Sequence, residues 1–257
     1  MGTLILSGEE RKSLSSLREG MLQENDRVIS FVGGGGKTST MFALAEELAE
    51  AGFCVAVTTT THIGEPRATG RIVRGWDVPK ETLETLVQPG CAACVGNLKA
   101  YNGVIKMDPP PKETFDWLLE TCDYVLIEAD GSRRLPMKVP AYYEPVIHPA
   151  TDLVVAVYGL SALGKPLGQV CQRVELAAPL LGKTPEDLVE PKDVAFVLSS
   201  VNGQRKAVED RHYCAVLNQA DDEAKQTEAA GIAKMLKERG VEHVLITAYN
   251  GRKHEKE

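Results

Sequence analysis

The sequence predicts an α/β fold, a mainly parallel β-sheet flanked by helices in a three-layer sandwich. Three observations predict it. Short runs rich in Val, Ile and aromatic residues alternate with amphipathic segments, the pattern of βαβ units. Those runs are apolar nearly throughout, as expected of strands that helices cover on both faces. The first strand meets its helix through four consecutive glycines and Lys-Thr, in FVGGGGKTSTMF over 31–42.

In chain order, RVISFVG (27–33) is the first strand and KTSTMFALAEELAEAG (37–52) the helix it feeds, with Gly52 as C-cap. FCVAVTTT (53–60) follows as a strand, and YVLIEAD (124–130), DLVVAVYG (152–159), YCAVLN (213–218) and HVLITA (243–248) complete a set of six. One domain is expected over 1–257, with residues 62–121 as an insert or subdomain at the ligand edge of the sheet. Within that stretch the Asn97 to Asn102 region, between two short apolar runs, suggests a hairpin. DPPP at 108–111 excludes helix until Lys112, where KETFDWLLETC takes on a helical pattern. The tail NGRKHEKE is expected to be solvated.

Composition narrows the function. The 257 residues are 43% hydrophobic and 25% charged, ordinary globular values. A net charge of -7 argues against the extended basic surface that holds nucleic acid or an anionic membrane. The opening MGTLILSGEERKSLSSLREG lacks the basic start and long apolar stretch of a signal peptide, and LVVAVYGLSALG is too short to span a bilayer. The expectation is a cytoplasmic protein. Cysteines at 54, 91, 94, 122, 171 and 214 are expected as thiols, with only Cys91 and Cys94 at a ligand-like spacing. A single CxxC without a second pair or a nearby His is a weak signal for metal or redox work.

The usual phosphate-loop pattern, Gly, four residues, then Gly-Lys-Ser/Thr, would require glycine where Phe31 stands. Phe31 and Val32 instead continue the strand, so a shorter loop begins at Gly33. In a strand–turn–helix frame, Gly33, Gly34, Gly35 and Gly36 let main-chain N–H groups converge on an anion. Lys37 can then reach the outer phosphates, the Thr38 hydroxyl can ligate Mg²⁺, and Ser39 completes the loop. The expected ligands are Mg²⁺ with ATP or GTP, in a P-loop NTPase-like sandwich; the alternative is a flexible connection with an incidental lysine. A dinucleotide site is the weaker match, because VTTTTHI after the second strand lacks the acid that would take a ribose 2′-OH.

Glu128 and Asp130 stand two apart, so on a strand they project to one face, and at its carboxyl end they can hold Mg²⁺ directly or through water. A strand end running into an Asp-Gly turn is the plainer alternative. Arg133, Arg134 and Lys138 follow with no acid between Asp130 and Glu144, either a loop for an anionic ligand or scattered surface cations. TTTTHI (58–63) places hydroxyls that can orient water or phosphate, and His62 as a base or ligand, at the same edge; β-branched strand residues with an ordinary histidine are the plainer alternative. In VLNQADD (216–222), Asn218 and Asp221 match the Asn-Lys-x-Asp that reads guanine in P-loop GTPases, with Gln219 in place of the lysine; a polar loop opening the next helix is equally consistent.

FVGGGGKTSTMFALAEELA, VAVTTTTHI, VLIEADGSRRLPMKVPAYYEPVIHP, AVYGLSALGKPL and VLNQADD together resemble the YqeC family, described as accessory proteins of selenium-dependent molybdenum hydroxylases. The likeness runs in order through most of 27–250. It implies a P-loop nucleotide-binding fold and a role in maturing a hydroxylase that carries labile selenium, with that enzyme or its cofactor as partner. The loop Gly33–Ser39 also resembles that of Mur-type ligases, where Gly-Thr-x-Gly-Lys-Thr-Thr directly follows the strand. Three functions are therefore expected in turn: a slow Mg²⁺-dependent NTPase assisting selenium or cofactor insertion, a small-molecule kinase, or a molybdopterin-binding module without turnover. In the first, Lys37 neutralises phosphate, Thr38 with Asp130 or Glu128 holds Mg²⁺, and His62 with the threonines faces the γ-phosphate. Arg133, Arg134 and Lys138 would take a second anion such as a pterin phosphate or a selenium oxyanion.

Overall fold

The structure, a computed structural model, describes residues 3–65 and 72–249. The chain opens on β1 (Thr3–Ser7), β2 (Lys12–Ser13) and α1 (Leu17–Met21), then runs through β3 (Val28–Gly33) into α2 (Lys37–Glu50). Next come β4 (Val55–Thr59), β5 (Ile63–Gly64), β6 (Ile72–Trp76), α3 (Lys80–Leu86), β7 (Ala92–Tyr101), β8 (Val104–Asp108), α4 (Lys112–Thr121) and β9 (Tyr124–Glu128). β10 (Met137–Lys138), β11 (Leu153–Gly159), α5 (Leu167–Val170), β12 (Cys171–Gln172), α6 (Val174–Leu181) and α7 (Pro191–Ser199) follow. β13 (His212–Asn218), α8 (Glu223–Glu238) and β14 (His243–Tyr249) close the described chain.

The six expected strands lie side by side in the order β14-β13-β11-β3-β9-β4, and every neighbouring pair is parallel. Alternate residues of each serve opposite layers. On β3, Ile29 and Phe31 pack with Met41, Leu44 and Leu48 of α2, while Val28 faces the layer holding Phe115 and Leu118 of α4, and Val32 the layer holding Ile232 and Leu236 of α8. Both faces of β3 are buried, which is why its sequence shows no polar alternation. The buried residues of α2 recur every three or four positions, and the helix stops where Gly52, at φ 93°, takes the left-handed turn that its missing Cβ allows.

The stretch 62–121 joins this sheet. β7 pairs with β4 and β6 with β7, both parallel, and the second half of β7 folds back on β8 as an antiparallel hairpin. Its turn is Asn102-Gly103, slightly later than the expected Asn97 to Asn102 region, with both residues at positive φ as a two-residue hairpin turn requires. α4 begins at Lys112, directly after the prolines. Residues 66–71 of that stretch and the whole tail NGRKHEKE lie outside the described residues.

From β3 the chain winds to β4 and β9 on one side, then to β11, β13 and β14 on the other. The direction reverses between β3 and β11, and a crevice outside the carboxyl ends of such a pair is where open α/β sheets take ligands. The glycine loop follows β3 at that point.

Candidate functional site

The four glycines are packed against their surroundings. A Cβ on Gly33 would lie 2.4 Å from the Val157 carbonyl oxygen, on Gly34 2.6 Å from that of Leu135, on Gly35 2.2 Å from the Gly159 nitrogen, and on Gly36 2.3 Å from Asn218 Nδ2. Gly33, Gly35 and Gly36 also have φ of 95°, 71° and 117°, which L side chains rarely adopt. Their hydrogen bonds tie the loop down. Gly33 N–H donates to Asp130 Oδ2, Gly34 N–H to the Val157 carbonyl and Gly35 N–H to the Leu135 carbonyl. Asn218 Nδ2 donates to the Gly35 carbonyl and is itself oriented by the Thr247 hydroxyl. The loop thus delivers the start of α2, where Gly36 provides no side-chain cap and the first N–H groups remain for an anion.

Lys37, the first residue of α2, folds back beneath this turn. Its Nζ donates to the Gly33 carbonyl at 2.7 Å and lies 3.2 Å from Asp130 Oδ1 and 3.6 Å from Glu128 Oε1. Burial alone would depress the ammonium, but the charges of Asp130 and Glu128 reverse that and hold it above its ordinary value. Glu128 is raised as well, but there burial is the larger effect. Burial raises its carboxyl above the usual range, only partly opposed by Lys37 and by the Thr38 hydroxyl that donates to Oε2 at 2.7 Å.

Asp130 joins two halves of the site. Its Oδ2 accepts from Gly33 N–H and lies 3.1 Å from Lys138 Nζ, while its buried Oδ1 has no aligned hydrogen-bond donor. Lys138 does not stand on the surface with Arg133 and Arg134. It is buried, with Nζ donating to the Gly131 carbonyl and to Glu144 Oε1 at 2.8 Å. Lys37 and Lys138 therefore face three buried carboxylates, Glu128, Asp130 and Glu144. Arg173 also lies 3.6 Å from Glu144, so the charges of the cluster balance, and Thr38, Glu128 and the Asp130 Oδ1 that lacks a hydrogen bond are oxygen donors of the kind that fits a Mg²⁺ keeping part of its water shell. Among the described residues no three of His, Cys, Asp or Glu come together as a metal cluster, and Mg²⁺ at a phosphate site does not need one.

Arg133 and Arg134 are exposed on the strap between β9 and β10, whose Leu135 and Pro136 lie against Gly34 and Gly35. Asp221 is open to solvent beside Lys225, whereas Asn218 is buried under the loop; Gln219 accepts from Ser161 N–H. The threonine hydroxyls are largely committed to the main chain. Thr58 donates to the Val95 carbonyl, Thr59 to that of Glu128 and Thr60 to that of Val146, so the run knits β4 to β7, β9 and the loop before β11. Ser39 sits in the first turn of α2.

His62 belongs to a separate cluster on the β7–β8 hairpin. Its Nδ1 is 2.6 Å from Asp108 Oδ1, and Asp108 Oδ2 accepts from the Tyr101 hydroxyl at 2.7 Å with Lys99 Nζ 3.3 Å away. Burial pushes Asp108 up, yet the bonds from Tyr101, His62 and Lys99 hold it below the ordinary carboxylate value. An ionised carboxylate can only accept, so His62 Nδ1 carries the hydrogen of that bond and Nε2 points away from it. Local sequence gave no sign of the partners: Asp108 lies 46 residues from His62, within a run that signals only a helix stop. The buried Glu144 and the loop-ordering role of Asn218 were equally hidden.

Cys91 and Cys94 flank the start of β7, and a spacing of three along extended chain sends side chains to opposite faces, unsuited to a shared ligand. The Cys94 thiol is pushed up to about 12 by burial. No helix among the described residues is long and apolar enough to cross a membrane.

Residues 29–175 match the family model described as YqeC protein. Among curated proteins the chain is similar to "Uncharacterized protein YqeC" of Escherichia coli (strain K12), with 35% identity over 189 residues that cover 72% of this chain and 73% of that one. The family match takes in the glycine loop, His62, Glu128, Asp130, Lys138 and Glu144, and leaves Asn218 and Asp221 outside.

Proposed function

The chain belongs to the YqeC family, and from that premise we propose that it is a Mg²⁺-dependent nucleotide-binding accessory protein. In this reading it is a slow NTPase for ATP or GTP that assists maturation of, or selenium insertion into, a selenium-dependent molybdenum hydroxylase. The accessory role follows from the family resemblance. One observation supports the nucleotide half: four glycines without room for a Cβ present the uncapped start of a 14-residue helix, led by Lys37, to two buried carboxylates and a threonine hydroxyl.

The N–H groups at the start of α2 would meet phosphate oxygens, and Lys37 would exchange its carboxylates for them. Thr38 and Glu128, with Asp130 directly or through water, would hold Mg²⁺, whose chemistry is to neutralise charge on the transferring phosphoryl group. Asn218 keeps the loop in shape by holding the Gly35 carbonyl. Arg133 and Arg134 are the cations left facing solvent for a second anion, Lys138 being used internally.

A second reading, a small-molecule kinase, draws on the His62–Asp108 pair, since an oriented imidazole with a free Nε2 suits deprotonation of an acceptor hydroxyl. Calorimetric titration with ATP and GTP, with and without Mg²⁺, beside Lys37→Ala, tests the common premise. If wild type binds neither, or the substitution leaves affinity unchanged, the nucleotide reading fails. Given binding, turnover stimulated by an apo-hydroxylase supports the accessory role, acceptor-dependent diphosphate formation the kinase, and retention of a molybdopterin dinucleotide without added nucleotide a passive cofactor carrier.

A further inference from the structure

Five ionised side chains of alternating sign run outward from the glycine loop. Lys37 Nζ is 3.2 Å from Asp130, Asp130 is 3.1 Å from Lys138 Nζ, Lys138 is 2.8 Å from Glu144, and Glu144 is 3.6 Å from Arg173 Nε. The first four are buried, so solvent ions screen their interactions far less than those of surface pairs. Displacing one charge therefore changes the energy of the next.

The two ends of this chain have different neighbours. At the inner end Lys37 lies under the loop. At the outer end Glu144 Oε2 accepts from Ala141 N–H at 3.1 Å and so fixes the turn that carries Tyr142 and Tyr143, which are 90% and 54% exposed. Arg173, the last charge, donates to the Tyr143 hydroxyl. The segment between is under tension. Arg133 and Arg134 hold φ of 50° and 62°, the left-handed region that strains a residue with a Cβ. The bonds from Leu135 N–H to the Ser132 carbonyl and from Lys138 Nζ to the Gly131 carbonyl keep it there.

We propose that occupancy of the glycine loop is passed through Lys37, Asp130, Lys138 and Glu144 to residues 131–146, so that the Tyr142–Tyr143 surface has one arrangement with the loop empty and another with a nucleoside triphosphate held. This rests on the nucleotide reading above. When Lys37 turns to phosphate oxygens, Asp130 loses one of two ammoniums and draws on Lys138. Glu144 then loses its inner partner, and the Ala141–Glu144 turn loosens. Exposed tyrosines beside an arginine are the residue types that dominate protein contacts, so this turn is the part of the segment that a partner could sense.

Hydrogen-exchange mass spectrometry of the full chain, with and without saturating Mg²⁺-ATP or Mg²⁺-GTP and with binding measured in parallel by calorimetry, tests the coupling. Exchange within 131–146 should rise about fivefold or more on binding. Glu144→Gln should still bind nucleotide and show no such rise. Should that variant not fold, Lys138→Met with Glu144→Met, which replaces the pair by apolar side chains of similar length, carries the same expectation. Binding with unchanged or slowed exchange overturns the coupling and leaves the nucleotide reading intact. A rise that persists in the variant overturns the charge chain as its route. Failure of the wild type to bind either nucleotide removes the premise and the coupling together.

Discussion

Replacing Asp130 by Asn keeps the size of the side chain and removes one charge from the centre of the buried cluster. In the structure Asp130 is fully buried, within 3.2 Å of Lys37 Nζ and 3.1 Å of Lys138 Nζ, and accepts from Gly33 N–H. The amide oxygen can keep the Gly33 bond, so the loss is the charge: two buried ammoniums are left to share Glu128 and Glu144. Removing one partner from a buried pair costs about 3–5 kcal/mol, because the remaining charge stays out of water. For a chain of this length about 1 kcal/mol moves the melting temperature by roughly 2–4 °C, so Asp130→Asn should melt about 6–20 °C below wild type. Thermal unfolding followed by circular dichroism at neutral pH and low salt reads this directly. A fall smaller than about 2 °C would mean that water reaches the cluster, and the account of Lys37 and Glu128 as buried, mutually shifted groups would be wrong.

Gly35→Ala and Gly103→Ala separate two costs of a Cβ: at Gly103 nothing lies within 4 Å, so only the backbone penalty of about 1–2 kcal/mol applies, whereas at Gly35 the contact with Gly159 adds to it. Denaturant titration should show the larger loss for Gly35, and equal losses would refute the packed loop. Phe31→Gly restores the conventional spacing but empties a fully buried site, so it should cost at least the roughly 3–5 kcal/mol of a buried Phe→Ala change without raising nucleotide affinity; tighter binding would contradict the short loop. Asp108, held below its ordinary value, contributes stability that is present above about pH 4 and lost as pH falls through its lower folded value. Asp108→Asn should therefore flatten the acid limb of stability against pH in urea titrations, and an unchanged limb would place the acid sensitivity elsewhere.

The strands and the strand–glycine turn–helix frame were legible because their signals are local. Phe31 and Val32 are apolar because β3 is covered on both faces, and Gly33 to Lys37 occupy one turn, so neither needs a distant partner to be recognised. Glu128 and Asp130 followed from the two-residue period of a strand. Lys138 did not, since a lysine beside two arginines looks solvated until Asp130 and Glu144 are brought to it, the latter by a turn that sequence spacing does not reveal. Asn218 resembles a base-reading residue by its place at the end of a strand. Its contact with Gly35 joins positions 183 apart. The threonines also suggested hydroxyls free for ligand, because nothing in TTTTHI shows which carbonyls of β7, β9 and the loop before β11 lie within reach.

The edge of the sheet has a consequence for how the chain is made. β1 lies antiparallel against β14, with Thr3 opposite Tyr249, so two strands far apart in the chain must meet to form this side of the sheet. At about 5–20 residues per second, roughly 10–50 seconds pass between the synthesis of the two. During this interval the nascent LILS segment presents unpaired strand to its surroundings, and β13 stays an open edge until β14 is made. Closure of this side of the sheet thus waits on β14 alone, and a product terminated before residue 243 would carry two exposed edges, β1 and β13, into the cell's quality control.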